Sequence, residues 1–167
     1  MGQEIERKFL LPEYPQRLID EGQLRIESRE AMEQTYLAID GPQELRVRKI
    51  TDRDTGETVY THTFKNGLGI SREEVEVSIT AGIYKQMVDA VRAVPLLKER
   101  HTGKWGDVTV EIDLYSQLNL MVVEVEFGSL EEAESFQPPD WFGTDVSVEK
   151  KYSNKTVWKE LQQDLRR

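Results

Sequence analysis

Glu4-Ile5-Glu6-Arg7-Lys8-Phe9-Leu10 alternates strictly between two kinds of side chain. In a β-strand, residues i and i+2 point to the same face. Glu4, Glu6 and Lys8 therefore share one face, while Ile5 and Phe9 share the other. The pattern recurs along the chain: Arg46 and Arg48, Arg72 with Glu74 and Glu76, Lys98 and Arg100, Glu111 and Asp113, and Glu124 and Glu126 each share a face, and Lys65 ends a strand of its own. The opposite faces carry Leu45 and Val47, Val75 and Val77, Val110 and Ile112, and Val123 and Val125. Period-two alternation of this kind predicts strands over Glu4–Leu10, Leu24–Arg29, Gln34–Ile39, Glu44–Thr51, Val59–Lys65, Arg72–Ile79, Leu96–Thr102 with Val108–Leu114, and Met121–Phe127. Turn residues separate them at Asp40-Gly41-Pro42, Asp54-Thr55-Gly56 and Asn66-Gly67-Leu68-Gly69, so neighbouring strands pair antiparallel. Helices are predicted over Tyr14–Glu21, Thr80–Val94 (with Thr80 as cap), Ser129–Ser135 and Ser153–Leu165. The fold class is α+β.

A half-exposed sheet with a solvated charged face is the bland explanation of the alternation. Two details oppose it. Like charges are grouped, with acidic i, i+2 pairs on four strands and basic pairs on two, and like charges about 7 Å apart on one face repel. Ser and Thr, the usual solvated-face residues, are scarce at these positions. The sharper reading closes the eight strands into an antiparallel β-barrel, a tunnel, with a few helices packed outside. Its interior would hold the acids Glu4, Glu6, Glu74, Glu76, Glu111, Asp113, Glu124 and Glu126 against the bases Lys8, Arg46, Arg48, Lys65, Arg72, Lys98, Arg100 and Lys151, which balance. A dry lumen with this many charges is costly, so it must be paired, wet, metallated or filled by ligand. The matching ligand is a polyanion with divalent cations, gripped by Arg and Lys while carboxylates hold the metal.

Composition narrows the chemistry. The 167 residues contain 22 Lys and Arg against 31 Asp and Glu, a net charge of −9. This is a poor balance for general nucleic-acid or anionic-membrane binding. Cysteine is absent, and His62 and His101 are the two histidines, so a metal would be held by oxygen ligands, which favours Mg²⁺, Mn²⁺ or Ca²⁺. Both histidines fall on the outer parity and are read as lying outside the barrel, His101 as a surface residue. The charged N-terminal stretch and the lack of a long apolar run point to a cytoplasmic protein.

Glu4-Ile5-Glu6-Arg7-Lys8 resembles the Glu-x-Glu-x-Lys signature of the CYTH superfamily, the triphosphate tunnel metalloenzymes. The resemblance continues through Leu45-Arg46-Val47-Arg48, Thr63-Phe64-Lys65, Arg72-Glu73-Glu74-Val75-Glu76, Lys98-Glu99-Arg100, Glu111-Ile112-Asp113, Glu124-Val125-Glu126 and the segment from Asp145-Val146-Ser147 to Lys151-Tyr152-Ser153-Asn154. It departs from the family at Asp145-Val146-Ser147, where Glu-Val-Thr is common, and at Asn66-Gly67, where Ser-Gly is usual. The resemblance implies a single tunnel domain over residues 1–167 that hydrolyses inorganic triphosphate or a triphosphorylated organic compound with one or two Mg²⁺ or Mn²⁺ ions. Adenylate cyclase, thiamine triphosphatase and a non-catalytic polyphosphate- or nucleotide-binding module are its alternatives. It further implies metal binding by Glu4, Glu6, Asp113, Glu124 and Glu126, with Asp113 at a second ion. Phosphate binding falls to Lys8, Arg46, Arg48, Lys65, Arg72, Lys98, Arg100 and Lys151, with catalytic roles for Lys8, Arg46, Lys65 and Lys151. Glu74, Glu76 and Glu111 are tunnel acids of open role. The partner is a small-molecule triphosphate, without nucleic acid or membrane, and homodimerisation is left open.

Overall fold

A computed structural model describes residues 2–165. Its strands are β1 (Gly2–Leu10), β2 (Leu24–Asp40), β3 (Gln43–Asp52), β4 (Thr58–Asn66), β5 (Ser71–Ile79), β6 (Leu96–Trp105), β7 (Val108–Tyr115) and β8 (Leu120–Glu126). They close into a barrel in the order β1-β5-β4-β3-β2-β6-β7-β8, and every pairing is antiparallel. The helices are α1 (Gln16–Asp20), α2 (Ala81–Val91), α3 (Leu130–Ser135) and α4 (Asn154–Leu165), with a 3₁₀ turn at Lys150–Tyr152. No helix among the described residues is long and apolar enough to cross a membrane.

The expected eight strands are present, but two boundaries shift in compensating ways. The segments expected as Leu24–Arg29 and Gln34–Ile39 form the single 17-residue β2. Nothing in Glu30-Ala31-Met32-Glu33 supplies turn chemistry, and this stretch pairs with β3 on one side and β6 on the other. Irregularities at Ile26/Ser28 and Tyr36/Ala38 let so long a strand coil with the barrel. Conversely, Leu96–Thr102 and Val108–Leu114 belong to two full strands joined at Gly106, whose φ of 60° is open to glycine at no steric cost.

The apolar faces point outward, and those of β1, β7 and β8 are covered. Phe9, Val110, Ile112, Val123 and Val125 pack beneath Leu18 and Ile19 of α1 and beneath Phe136, Trp141 and Phe142 of the segment after α3. Arg7, also on this face, fastens that segment by donating to the carbonyls of Ala133 (2.8 Å) and Phe136 (2.9 Å) and pairing with Asp145 (2.9 Å). His101 is not a surface residue: it is buried outside the barrel wall, with Nδ1 2.7 Å from the Tyr14 hydroxyl. A second apolar cluster lies at one end of the lumen. Leu96, Tyr115 and Val122 share the parity of the inward charges and are capped by Val157 and Leu161 of α4. Helix α4 is thus a plug, and it starts where Ser153 Oγ accepts from the Thr156 N–H.

The charged parity faces inward, where it forms cross-strand ties. Asp113 on β7 accepts from Lys98 on β6 at 2.8 Å, and both side chains are wholly buried. It also takes a two-pronged contact from Arg100, at 2.7 Å from Nε and 2.9 Å from Nη2. Arg100 reaches on to Glu111 and Glu124.

Two stability predictions follow from this geometry. A Cβ on Gly103 would stand 2.6 Å from the Arg25 carbonyl oxygen across the β2 irregularity. Gly103→Ala should therefore cost about 1–3 kcal/mol, as overpacking does, seen as a lower midpoint in thermal melts. Asp113→Asn strands Lys98 and Arg100 in the wall, and denaturant titration should show a loss of about 3–5 kcal/mol.

Candidate active site

The inward charges frame a cavity of about 690 Å³. Its floor is set by Glu6, Lys8, Tyr36, Glu44, Arg46 and Arg72, its rim by the turns at Gly41-Pro42 and Gly67-Leu68-Gly69, and its remaining wall by Val146–Lys150 and the start of α4. The register brings these groups together. Glu4 stands opposite Arg72, Lys65 opposite Glu74, Tyr36 opposite Arg46, and Lys8 opposite Glu124. A groove of about 640 Å³ under α2 contains the Lys49–Glu33 pair and none of the inward charges.

Most of the cations are already engaged. Lys65 Nζ is 2.8 and 3.0 Å from the two Glu4 oxygens and 3.3 Å from Glu74. Arg72 lies 3.3 Å from Glu4 and 3.7 Å from Glu44. Lys8 sits 3.2 Å from Glu124 and donates to the Tyr152 carbonyl at 3.2 Å. Burial alone would favour neutral Lys8, but Glu124, Glu6 and Asp113 outweigh it and raise its pKa, so it stays an ammonium.

Arg46 and Arg48 are different. They are 3% and 7% exposed, and among the described residues neither has a carboxylate within ion-pair distance. Arg48 Nε donates to Gln34 at 2.8 Å, while Arg46 Nε finds no partner. Burial and the neighbouring Arg46 and Arg100 pull the Arg48 pKa down to about 10. Beside them the Tyr36 hydroxyl is buried on the cavity floor, next to the Arg46 guanidinium. Two guanidiniums crowded in a low-dielectric wall are stabilised by an anion.

The carboxylates divide in the same way. Burial disfavours the ionised form of Glu4, but Lys65 overcomes it and holds the pKa well below the usual carboxylate range. Asp113 is likewise held ionised against burial by Arg100 and Lys98. Glu6 goes the other way. Burial, then Glu124 and Glu4, push it up to about 8, with Lys65 and Lys8 only partly offsetting them. It has no cation within ion-pair distance among the described residues. A half-buried acid beside two carboxylates is relieved by a hard cation, and the donors are all oxygen, so the set suits a divalent metal. No three carboxylates among the described residues yet converge on one point, because Glu4 and Glu124 are turned toward their lysines.

The expected site residues are therefore not all alike. Glu6, Lys8, Arg46 and Arg72 line one cavity, and Glu4 and Lys65 join them through the Arg72–Glu4–Lys65 contacts. Lys98, Arg100, Asp113 and Glu124 form a packed ionic layer. Asp113, expected at a second metal, has both oxygens committed to Lys98 and Arg100. Glu74 and Glu111 pair with Lys65 and Arg100. Glu76 and Glu126 keep the inward parity but are exposed; Glu76 accepts from Thr63 at 2.8 Å. Lys151 is exposed outside the cavity lining, its ammonium 5.4 Å from the Tyr152 ring. Lys155 and Lys159 reach the cavity in its place. The sequence reading also missed Tyr36 and Glu44. Both carry the inward parity, Glu44 two residues before Arg46, but neither belongs to a run of like charges.

The CYTH domain profile matches residues 2–162. An inorganic triphosphatase of Nitrosomonas europaea is 35% identical over 158 residues, spanning 92% of this chain and 95% of the relative. An inorganic triphosphatase of Acetivibrio thermocellus is 27% identical over 160 residues, spanning 95% of both. A crystal structure of an inorganic triphosphatase superposes with a TM-score of 0.62 at 33% identity, covering 95% of each chain. A barrel that closes its charged faces on one cavity, matched from end to end in this way, places the chain in the CYTH domain family.

Proposed function

We propose that this chain is a divalent-metal-dependent hydrolase of inorganic triphosphate. The observation that carries the reading is the pair of buried guanidiniums, Arg46 and Arg48, neither with a carboxylate at ion-pair distance among the described residues, the first of them lining a cavity that also receives Lys8, Arg72, Lys155 and Lys159. Relatives that match nearly the whole chain are inorganic triphosphatases, which supports the same substrate.

In this reading Arg46, Arg48, Lys65 and Arg72 bind phosphate oxygens and stabilise charge on the transferred phosphoryl group. Lys8, kept protonated by its acidic neighbours, serves as a phosphate ligand and not as a base. Glu4, Glu6 and Glu126, with Glu124 behind them, hold the metal, for which Mg²⁺ and Mn²⁺ are the fitting ions. When bound, the metal supplies charge neutralisation and an acidified water for in-line attack. Lys98 and Arg100 act through the ionic layer, with Asp113 as the counter-ion that positions them. Lys151 has no role at the phosphates, given its exposed position.

A phosphate-release screen with Mg²⁺ or Mn²⁺ should find tripolyphosphate preferred over ATP, GTP and thiamine triphosphate by kcat/KM. Cyclic AMP with pyrophosphate from ATP would instead establish a cyclase, and turnover unaffected by EDTA would remove the metal from the scheme. Glu4→Gln and Glu6→Gln should each lower kcat by about a hundredfold or more while the fold, followed by circular dichroism, persists; retained turnover would overturn the metal assignment.

A further inference from the structure

Strand β5 covers only the start of one edge of β1, pairing with residues 2–5. Past Glu6, whose amide still reaches Ile70, the same edge is taken over by residues 143–147. The Gly143 amide donates to the Leu10 carbonyl at 2.7 Å, the Leu10 amide to Thr144 at 2.9 Å, and the Val146 amide to the Lys8 carbonyl at 2.8 Å. The Lys8 amide, on this edge too, donates at 2.9 Å to the Ser147 hydroxyl, so a side chain stands in for a strand carbonyl. Ser147 Oγ in turn donates to Asp145 Oδ1, the nearer of its two acceptors, and that oxygen also takes the Ser147 amide at 2.9 Å. The second Asp145 oxygen is held at 2.9 Å by Arg7, on the outer face of β1. Burial opposes the Asp145 charge, but the hydrogen bonds from Ser147 and Arg7 outweigh it and keep the pKa below the usual range.

We infer that Ser147, aimed by Asp145 and Arg7, is a positioning residue for Lys8 and fixes where the Lys8 ammonium meets substrate. The inference rests on the triphosphatase reading. Lys8 needs an anchor in its main chain. Its ammonium lies 3.2 Å from both Glu124 and the Tyr152 carbonyl, the long end of hydrogen-bond range, whereas contacts of 2.7–2.8 Å fix Asp113. A lysine stem is flexible, so the reach of its charge depends on where the backbone beneath it is held. Arg7 and Lys8 are neighbours on opposite faces of β1, and the chain Arg7–Asp145–Ser147 returns the outer anchor to the inner residue. Ser147 also lines the cavity. One hydroxyl therefore sets the cavity wall and the lysine in register. Without it the Lys8 amide loses its acceptor, strand and wall part, and the displaced ammonium makes a poorer contact with phosphate.

Tripolyphosphate titrated calorimetrically into the full chain without added metal, with KM and kcat measured in Mg²⁺ and folding followed by thermal melts, tests this. Ser147→Ala should raise Kd and KM about tenfold, with kcat changed far less. Ser147→Thr keeps the hydroxyl and should bind as the parent chain does. Asp145→Ala should shift Kd in the same direction as Ser147→Ala. In a Lys8→Gln background Ser147→Ala should have no further effect on Kd, because no ammonium is left to place. If the parent chain neither binds nor hydrolyses tripolyphosphate, the triphosphatase reading itself fails. If the parent binds and folded Ser147→Ala binds equally well, the positioning role fails alone, even where the melting midpoint has fallen. An equal loss with and without Lys8 would show that Ser147 acts on something else and overturn the inference. If Lys8→Gln does not fold, the two Ser147 variants decide between them, since equal weakening by Ala and Thr would remove the hydroxyl from the account.

Discussion

An ionised side chain can stay inside a protein wall only if opposite charge or a hydrogen-bonding partner meets it there. Here seven of the eight strands turn ionic groups inward, and the barrel meets the requirement by pairing across strands: Lys8 with Glu124, Lys65 with Glu4, and Asp113 with Lys98 and Arg100. A slip of one residue would carry these groups into the apolar packing around Phe9 and Ile112 and turn those side chains into the lumen. Register is therefore specified from both faces. The outer face contributes hydrophobic burial, and the inner face penalises every arrangement that separates the pairs.

The site arises where this pairing is incomplete. Deep in the β6–β7–β8 wall the contacts are short and the acids are committed. Toward the cavity, Arg46 has no carboxylate within ion-pair distance among the described residues, Glu6 faces two other acids, and Glu44 is shared at long range. Excess positive and excess negative charge thus occur within one enclosed space. Combining them directly would discharge both. The β1 and β3 strands hold them apart, which leaves room for a polyanion and a cation that satisfy them together.

Strand parity was readable because it needs only neighbours in sequence. It separated Glu4, Glu6 and Lys8 from Ile5 and Phe9, and Arg46 and Arg48 from Val47, without any knowledge of what they meet. Parity does not say how deep along the barrel a residue lies, so Glu76 and Glu126 looked equivalent to Glu4 and Glu124 although they are exposed. It also does not say who pairs with whom, so Asp113 looked like a free ligand. Isolated members of the inward face, Tyr36 and Glu44, gave no run of like charges to notice. The continuity of β2 was hidden because a polar stretch without glycine or proline can read as a connection until strands are found on both its sides. Lys151 lies outside the cavity lining for a different reason. It sits in a short 3₁₀ turn, where neither the strand period nor the helix period predicts direction.

The helical period explains why Lys155 is placed where Lys151 is not. At 3.6 residues per turn, Lys155 and Lys159 stack on one side of α4, while Val157 and Leu161 stack about 200° away. The second pair seals the lumen against Leu96, Tyr115 and Val122, and the first pair lies along the cavity. One helix therefore closes the barrel end and supplies a cationic wall. Its rotation cannot be changed for one purpose without disturbing the other: turning Lys155 away from Glu44 would lift Val157 and Leu161 from the plug. Burial of the apolar side thus holds an otherwise flexible lysine along the cavity, which lowers the ordering cost of any contact made there.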